Sequence, residues 1–399
     1  VLDLNKIAGQ IPQIGQHLTQ EAAASRLRLE KTIELLQRAI DRQTDLVELR
    51  ETWDDRLMFS SAIPCEPLDT AISISNPEFN HTVFATDGSQ IAPSHHEIAY
   101  CYLINIGRVM LHYGQGLHPL LDSIPEVYYK SEDLYASKQW GIRPEEWIGH
   151  KRTAAEVEIL SEMACRWVNP PGAHDDIPNL ALVDGSLIFW FLEQLPHEAK
   201  DKILPPIFAA WEQLRETKIP LMGYLSASRS GEAINFLRLQ ACPYDFPHCM
   251  MNCGHLGEER TPCQIADPLR DTSLWQYILK PGERGALWRS SSRILDSYAE
   301  EHKVYFCYLN VGTEIARIEV PAWVADDRQL LDRSLSIVLG QVQKGYGYPV
   351  ALAESHNLAV IRGGDRARFF TLLEQQMIRA GIRNVGTSYK ETRKRGSIA

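Results

Sequence analysis

Apolar residues recur along this chain with two different periods. Leu29, Ile33, Leu36 and Ile40 follow a helical spacing, Val47 extends the stripe, and Arg, Glu, Lys, Gln and Asp fill the positions between. An amphipathic helix is predicted, its apolar face packing on its own domain or along a seam with a second copy. From residue 82 the period shortens. "TVFATDGSQIAP" reads as a strand, and "EIAYCYLINIGRVMLHYG" is a β-branched and aromatic run with Gly-Arg inside it. Three antiparallel strands joined by hairpins are predicted over 82–113, with one of the turns at that Gly-Arg.

Residues 150–168 predict a helix, and "NPPGAHDDIPN" after it predicts a loop by its Pro, Gly and Asp content. "LALVDGSLIFW" is continuously apolar, as a strand buried on both faces of a sheet would be. A helix over 206–217, a buried strand in "IPLMGYLSAS" and a helix over 231–240 follow. Residues 241–285 are irregular and rich in Cys, His and Pro. Beyond them the pattern predicts a helix at 291–301, a hairpin turning at Gly312, a helix at 326–344 and a last helix from near Asp365. This order predicts an α/β fold, a mixed sheet with helices on its faces. The expected division is a helical arm over 1–80, a main domain over 81–385 with a Cys-rich insertion at 241–285, and a flexible basic tail over 386–399.

Charge narrows the function classes. The net charge of −10 excludes a basic footprint over the whole chain, while local basic patches remain open. No apolar run approaches the ~20 residues of a membrane helix. "VLDLNKIAGQ" does not read as a signal peptide, so the eight cysteines are expected as reduced thiols in a cytoplasm.

The candidate chemistry lies in a repeated triplet. "VFATDGSQIAP" and "LALVDGSLIFW" each bring Asp-Gly-Ser to the end of an apolar run, at Asp87 and Asp184. A single copy reads as an ordinary turn. Two copies on neighbouring strands would place two carboxylates side by side, where they repel unless a proton or a metal intervenes. Carboxylate oxygen suits Mg²⁺ or Mn²⁺, and a pair of such ions clamps both reacting oxygens of a phosphodiester. Each glycine allows a tight turn close to a phosphate, and Ser89 or Ser186 can bond a carboxylate or the phosphate. Glu156, Glu158 and Glu162 share the helix at 150–168, and His356 sits alone in the apolar "ALAESHNLAVI". Taken singly these read as solvated glutamates and a packed histidine; together with the aspartates they suit a metal-dependent phosphodiesterase. A pepsin-type protease also pairs two strand aspartates, but as Asp-Thr-Gly or Asp-Ser-Gly on an all-β chain.

These residues carry a resemblance to a known family. "TDGS" at 86–89, Arg-x-x-x-Glu at 152–156, "LVDGSL" at 182–187 and "GYPVALAESH" at 347–356 resemble, in order, the NurA nucleases. That family partners the hexameric HerA ATPase in DNA end resection. The resemblance spans roughly 80–370. It implies a ribonuclease H-like core, a homodimer, and Mn²⁺- or Mg²⁺-dependent cleavage of DNA, 5′-to-3′ from an end and within single strands. It also implies that Asp87, Glu156, Asp184 and His356 hold two ions and that Tyr348 lies beside them. The gap from Glu156 to Asp184 is long for the family, which makes 169–179 an insertion or else makes Glu158 or Glu162 the ligand.

Three features stand outside that pattern. Cys242, Cys249, Cys253 and Cys263 lie close in sequence with His248 and His255 among them, and read either as a structural zinc or iron–sulfur site or as free thiols. Ser226, Ser228, Arg229 and Ser230 open a helix and suit either a phosphate or simple capping. Arg289, Arg293 and the tail "RKR" are further candidates for a DNA backbone. The rival reading from another class is a catalytically silent DNA-binding or ATPase-docking subunit. A sugar-kinase relative would need a phosphate loop, for which "IRGGDR" at 361–366 is too thin.

Overall fold

The computed structural model describes residues 3–95, 97–168, 177–256 and 260–382. Most of the loop expected at 169–179, and the tail expected from 386, lie outside the described residues. The chain divides into two compact units that cut across the expected boundaries: 1–75 with 224–322, and 76–223 with 323–399.

In the second of these units the sheet runs in the order Asn179–Asp184, His81–Ile91, Tyr102–Tyr113, Leu120–Tyr128. His81–Ile91 pairs antiparallel with Tyr102–Tyr113, from His81 opposite Tyr113 to Ile91 opposite Leu103. On its other side it pairs parallel with Asn179–Asp184, from Thr82 opposite Asn179 to Thr86 opposite Val183. This is the mixed α/β core anticipated from the pattern. Its centre is dry: Val83, Phe84, Ala85, Leu180, Ala181 and Leu182 are fully buried. Strands covered on both faces need continuous apolar runs rather than alternation, which explains both runs before the Asp-Gly-Ser triplets.

The hairpin turn expected at Gly107-Arg108 is not there. The strand Tyr102–Tyr113 runs straight through, with Gly107 opposite Asp87 and Arg108 opposite Asp122. Arg108 holds Asp122 at 2.6 and 2.9 Å across the next strand, Leu120–Tyr128. That strand carries Pro125 and lies last in the order, where a missing N–H is tolerated. Gly107 serves contact instead: a Cβ there would lie 2.5 Å from Ala359 N and 2.9 Å from Leu358 Cβ. The helix Val350–Ala359 thus sits against bare backbone.

The helix Pro144–Val168 buries Trp147, Val157, Leu160 and Ala164, and the helix His197–Glu216 buries Ile203, Ile207, Trp211 and Leu214. Each of the Val, Leu and Ile side chains contributes about 1.5–3 kcal/mol by leaving water. Residues 326–344 and the region from Asp365 are helical as expected, over Arg328–Lys344 and Gly363–Arg379.

In the other unit the helical stripe docks on its own core. Leu36, Ala39 and Leu46 join Phe236, Trp275, Trp288, Phe306 and Tyr308, with Leu29, Ile33, Ile40 and Val47 packed against them. The hairpin Val304–Asn310 and Ile315–Pro321 forms as expected, with Gly312 in its turn. The helix expected at 291–301 is instead two short 3₁₀ turns, Arg293–Ser297 and Glu300–His302. Ser290, Ser291 and Ser292 precede them, and serines compete with helix by bonding nearby backbone, as Ser290 Oγ does with Ser292 N–H at 3.4 Å.

Candidate active site

The parallel register answers why two buried apolar runs each lead to a carboxylate. Thr86 stands opposite Val183, so Asp87 and Asp184 come next in line on adjacent strands, at one edge of the sheet. Strand ends at such an edge are where open α/β sheets place their ligands. The two triplets differ locally. Gly185 turns the chain with φ +126°, as expected. Gly88 does not turn: it stays in the strand opposite Ile106. A Cβ at Gly88 would lie 2.7 and 2.9 Å from Arg152 Cγ and Cδ, and would overlap Glu156 Oε1. The missing side chain lets the helix Pro144–Val168 lay Glu156 against the strand, where Gly88 N–H bonds its carboxylate. Thr86 Oγ1 donates to the Glu156 carbonyl at 2.8 Å and fixes the same turn of helix.

A third element delivers the histidine. Asn105 Nδ2 donates to the Ala359 carbonyl at 2.8 Å, and the Ser89 hydroxyl donates to the same oxygen. Both satisfy an otherwise unpaired carbonyl at the end of helix Val350–Ala359. Clamped there and seated on Gly107, that helix sets His356 Nδ1 2.8 Å from Asp87 Oδ2. Tyr348, just before the helix, hydrogen-bonds Asp184. Asp87, Glu156, Asp184, Tyr348 and His356, named from sequence, are therefore brought together.

The electrostatics are those of crowded acids. Burial pushes the Glu156 carboxyl up to about 7, opposed by Arg152 and reinforced by Asp87 and Asp184. Asp184 is likewise raised, first by desolvation and then by Asp87, while the Tyr348 hydrogen bond and His356 oppose the shift. Arg152 Nε lies 3.2 Å from Glu156 Oε1. Glu158 is exposed, and Glu162 pairs with Arg166 at 2.6 Å, so neither joins the cluster.

Among the described residues, no three His, Cys, Asp or Glu side chains converge closely enough to hold a metal ion as they stand. The donor set nevertheless fits a hard divalent cation: carboxylates whose mutual repulsion and burial favour a proton or a cation among them. Arg152 lies against Glu156, and His356 hydrogen-bonds Asp87.

The expected substrate-binding hydroxyls are used by the fold. Ser89 holds the helix end, and Ser186 Oγ accepts from Ile188 N–H at 2.9 Å. In the other unit, Ser228 Oγ accepts from Ser230 N–H at 3.3 Å, and Arg229 is exposed. Glu314 takes Ser226 Oγ at 2.8 Å and Ala227 N–H at 2.9 Å, so a carboxylate already fills the turn read as a phosphate seat. Sequence reasoning left out Arg152, Thr86, Asn105 and the close-contact glycines. The Arg-x-x-x-Glu spacing was the available sign for Arg152; the others depend on register.

Comparison with known proteins completes the description. The NurA domain model matches residues 81–361. The crystal structure of the NurA nuclease from Sulfolobus solfataricus is similar in fold, with a TM-score of 0.54 at 12% identity over 95% of this chain and 98% of that one. The catalytic domain of human endonuclease V covers 86% of this chain and 98% of its own at 12% identity, with a TM-score of 0.31, too low to carry an argument. The search of curated proteins returns no significant match.

Proposed function

The chain belongs to the NurA nuclease family, and we propose from this premise that Asp87, Glu156, Asp184 and His356 form the divalent-metal site of a DNA nuclease. The observation that carries the reading is the gathering of three acids from three separate elements, where burial first and then Asp87 and Asp184 raise Glu156 to about 7. Bound there, two Mn²⁺ or Mg²⁺ ions would supply an activated water and charge neutralisation at the leaving oxygen.

The protein's own groups prepare the place. Arg152 and Gly88 N–H hold Glu156 against the strand. Tyr348 orients Asp184, and His356 orients Asp87. The proposal extends to 5′-to-3′ exonuclease and single-strand endonuclease action in end resection at double-strand breaks, by a cytoplasmic homodimer working with a HerA-like ATPase. Family membership supports these details, and the net charge of −10 favours a partner that feeds DNA to a local site. No helix among the described residues is long and apolar enough to cross a membrane.

End-labelled linear DNA incubated with Mn²⁺ tests the site. The native chain should degrade it, and Asp184→Asn should not. Equal degradation by both would overturn the assignment. No degradation by either, with the ATPase present, would favour the silent subunit.

A further inference from the structure

Four cysteines that the acidic site does not use surround one cavity. Cys242 follows the helix Glu232–Ala241, Cys249 and Cys253 end the short helix Cys249–Cys253, and Cys263 lies beyond it. All four line the same cavity, together with Phe59, Leu239 and the prolines 243 and 262 that adjoin Cys242 and Cys263. None is in a disulfide. Arg238 Nη2 donates to Cys263 Sγ at 3.4 Å, and its guanidinium lies 3.9 Å over the Phe59 ring.

The arrangement discriminates between kinds of metal centre. A zinc ion needs four sulfurs within about 2.3 Å of one point. Among the described residues no three such donors converge in that way. A cubane of iron and sulfide instead takes one thiolate at each iron, so its ligands stand apart around a space. Apolar walls and a donor to one sulfur are the surroundings that hold and tune such clusters.

We propose that Cys242, Cys249, Cys253 and Cys263 bind a [4Fe–4S] cluster. Its four irons each accept one thiolate, four thiol protons leave to solvent, and no electron is transferred on binding. The cluster ties together a stretch whose regular structure, among the described residues, is one short helix and a 3₁₀ turn, and so fixes the end of helix Glu232–Ala241. None of this depends on the nuclease reading.

The chain purified without oxygen, or rebuilt with ferric iron and sulfide under a thiol that reduces half of the iron, should show a broad visible charge-transfer band. It should contain about four iron and four acid-labile sulfide per chain. Both contents should fall at least about tenfold in a Cys249→Ser, Cys253→Ser double variant and stay at the native level in Cys65→Ser, an exposed cysteine outside the cavity. One zinc per chain without iron would overturn the proposal. So would a native chain that takes up neither iron nor sulfide, or a double variant that keeps both. The native stoichiometry decides the matter even where the double variant does not fold.

Discussion

In the unit containing 224–322, Arg317 lies fully buried between Glu319 at 2.7 Å and Glu232 at 2.8 Å, and donates to Ser230 Oγ at 2.8 Å. Nearby, buried Asp271 accepts from Ala233 N–H at 3.1 Å, Ile234 N–H at 2.8 Å and Tyr308 Oη at 2.7 Å, closing the start of helix Glu232–Ala241. In the other unit Asp87, Glu156 and Asp184 crowd together with Arg152 as a cationic partner and His356 hydrogen-bonded to Asp87, and Asp184 opens to solvent. The first group also holds three acids to one cation, but its carboxylates are buried and taken up by Arg317, backbone N–H groups and hydroxyls, so it behaves as architecture. The second accumulates negative charge at a strand edge, which costs stability and suits a cation. Charged clusters of similar size thus differ in what they are for, and the balance of donors tells them apart.

Removing an acid from the second group should abolish function and spare the fold. Asp87→Asn should lower DNA cleavage by about a thousand-fold, with chemical denaturation showing stability equal to native or higher. The first group should behave in reverse. Arg317→Met leaves buried Glu319 and Glu232 facing each other uncompensated, and should lower unfolding free energy by about 3–5 kcal/mol in the same denaturation experiment.

A pH series sharpens the contrast. Glu156 has a folded value of about 7 against 4.5 unfolded, so between those values the folded chain binds more protons. The stability tied to its protonation is present below the unfolded value and is lost as pH rises through 7. Without metal, Glu156→Gln should therefore match the native chain near pH 4.5 and exceed it by about 2–3 kcal/mol at pH 8. Excess Mn²⁺ should shrink that gap. Glu158→Gln is the smallest expected effect: Glu158 is exposed on the same helix and outside the cluster, so cleavage should change by less than about two-fold.

Much of this was legible because it is local. Apolar runs that end in Asp-Gly-Ser mark central strands, and a carboxylate after such a run has few structural uses. The helical stripe through Leu36 and Leu46 was equally plain. What depended on distant partners was not. Gly107 reads as a turn until the helix Val350–Ala359 is known to rest on it. Ser89 reads as a phosphate ligand until the Ala359 carbonyl is found above it. The edge strand Leu120–Tyr128 hid behind its proline and charges, and the phosphate seat at Ser226 was filled by Glu314 from the facing hairpin.

The central claim is that the acids at 87, 156 and 184 form one cation site. Titration of the chain with Mn²⁺, with the free ion followed by electron paramagnetic resonance, tests it directly. Native and Glu158→Gln chains should bind Mn²⁺ alike, and Asp87→Asn and Asp184→Asn should each weaken binding at least about tenfold. Unchanged Mn²⁺ binding in both aspartate variants would contradict the account.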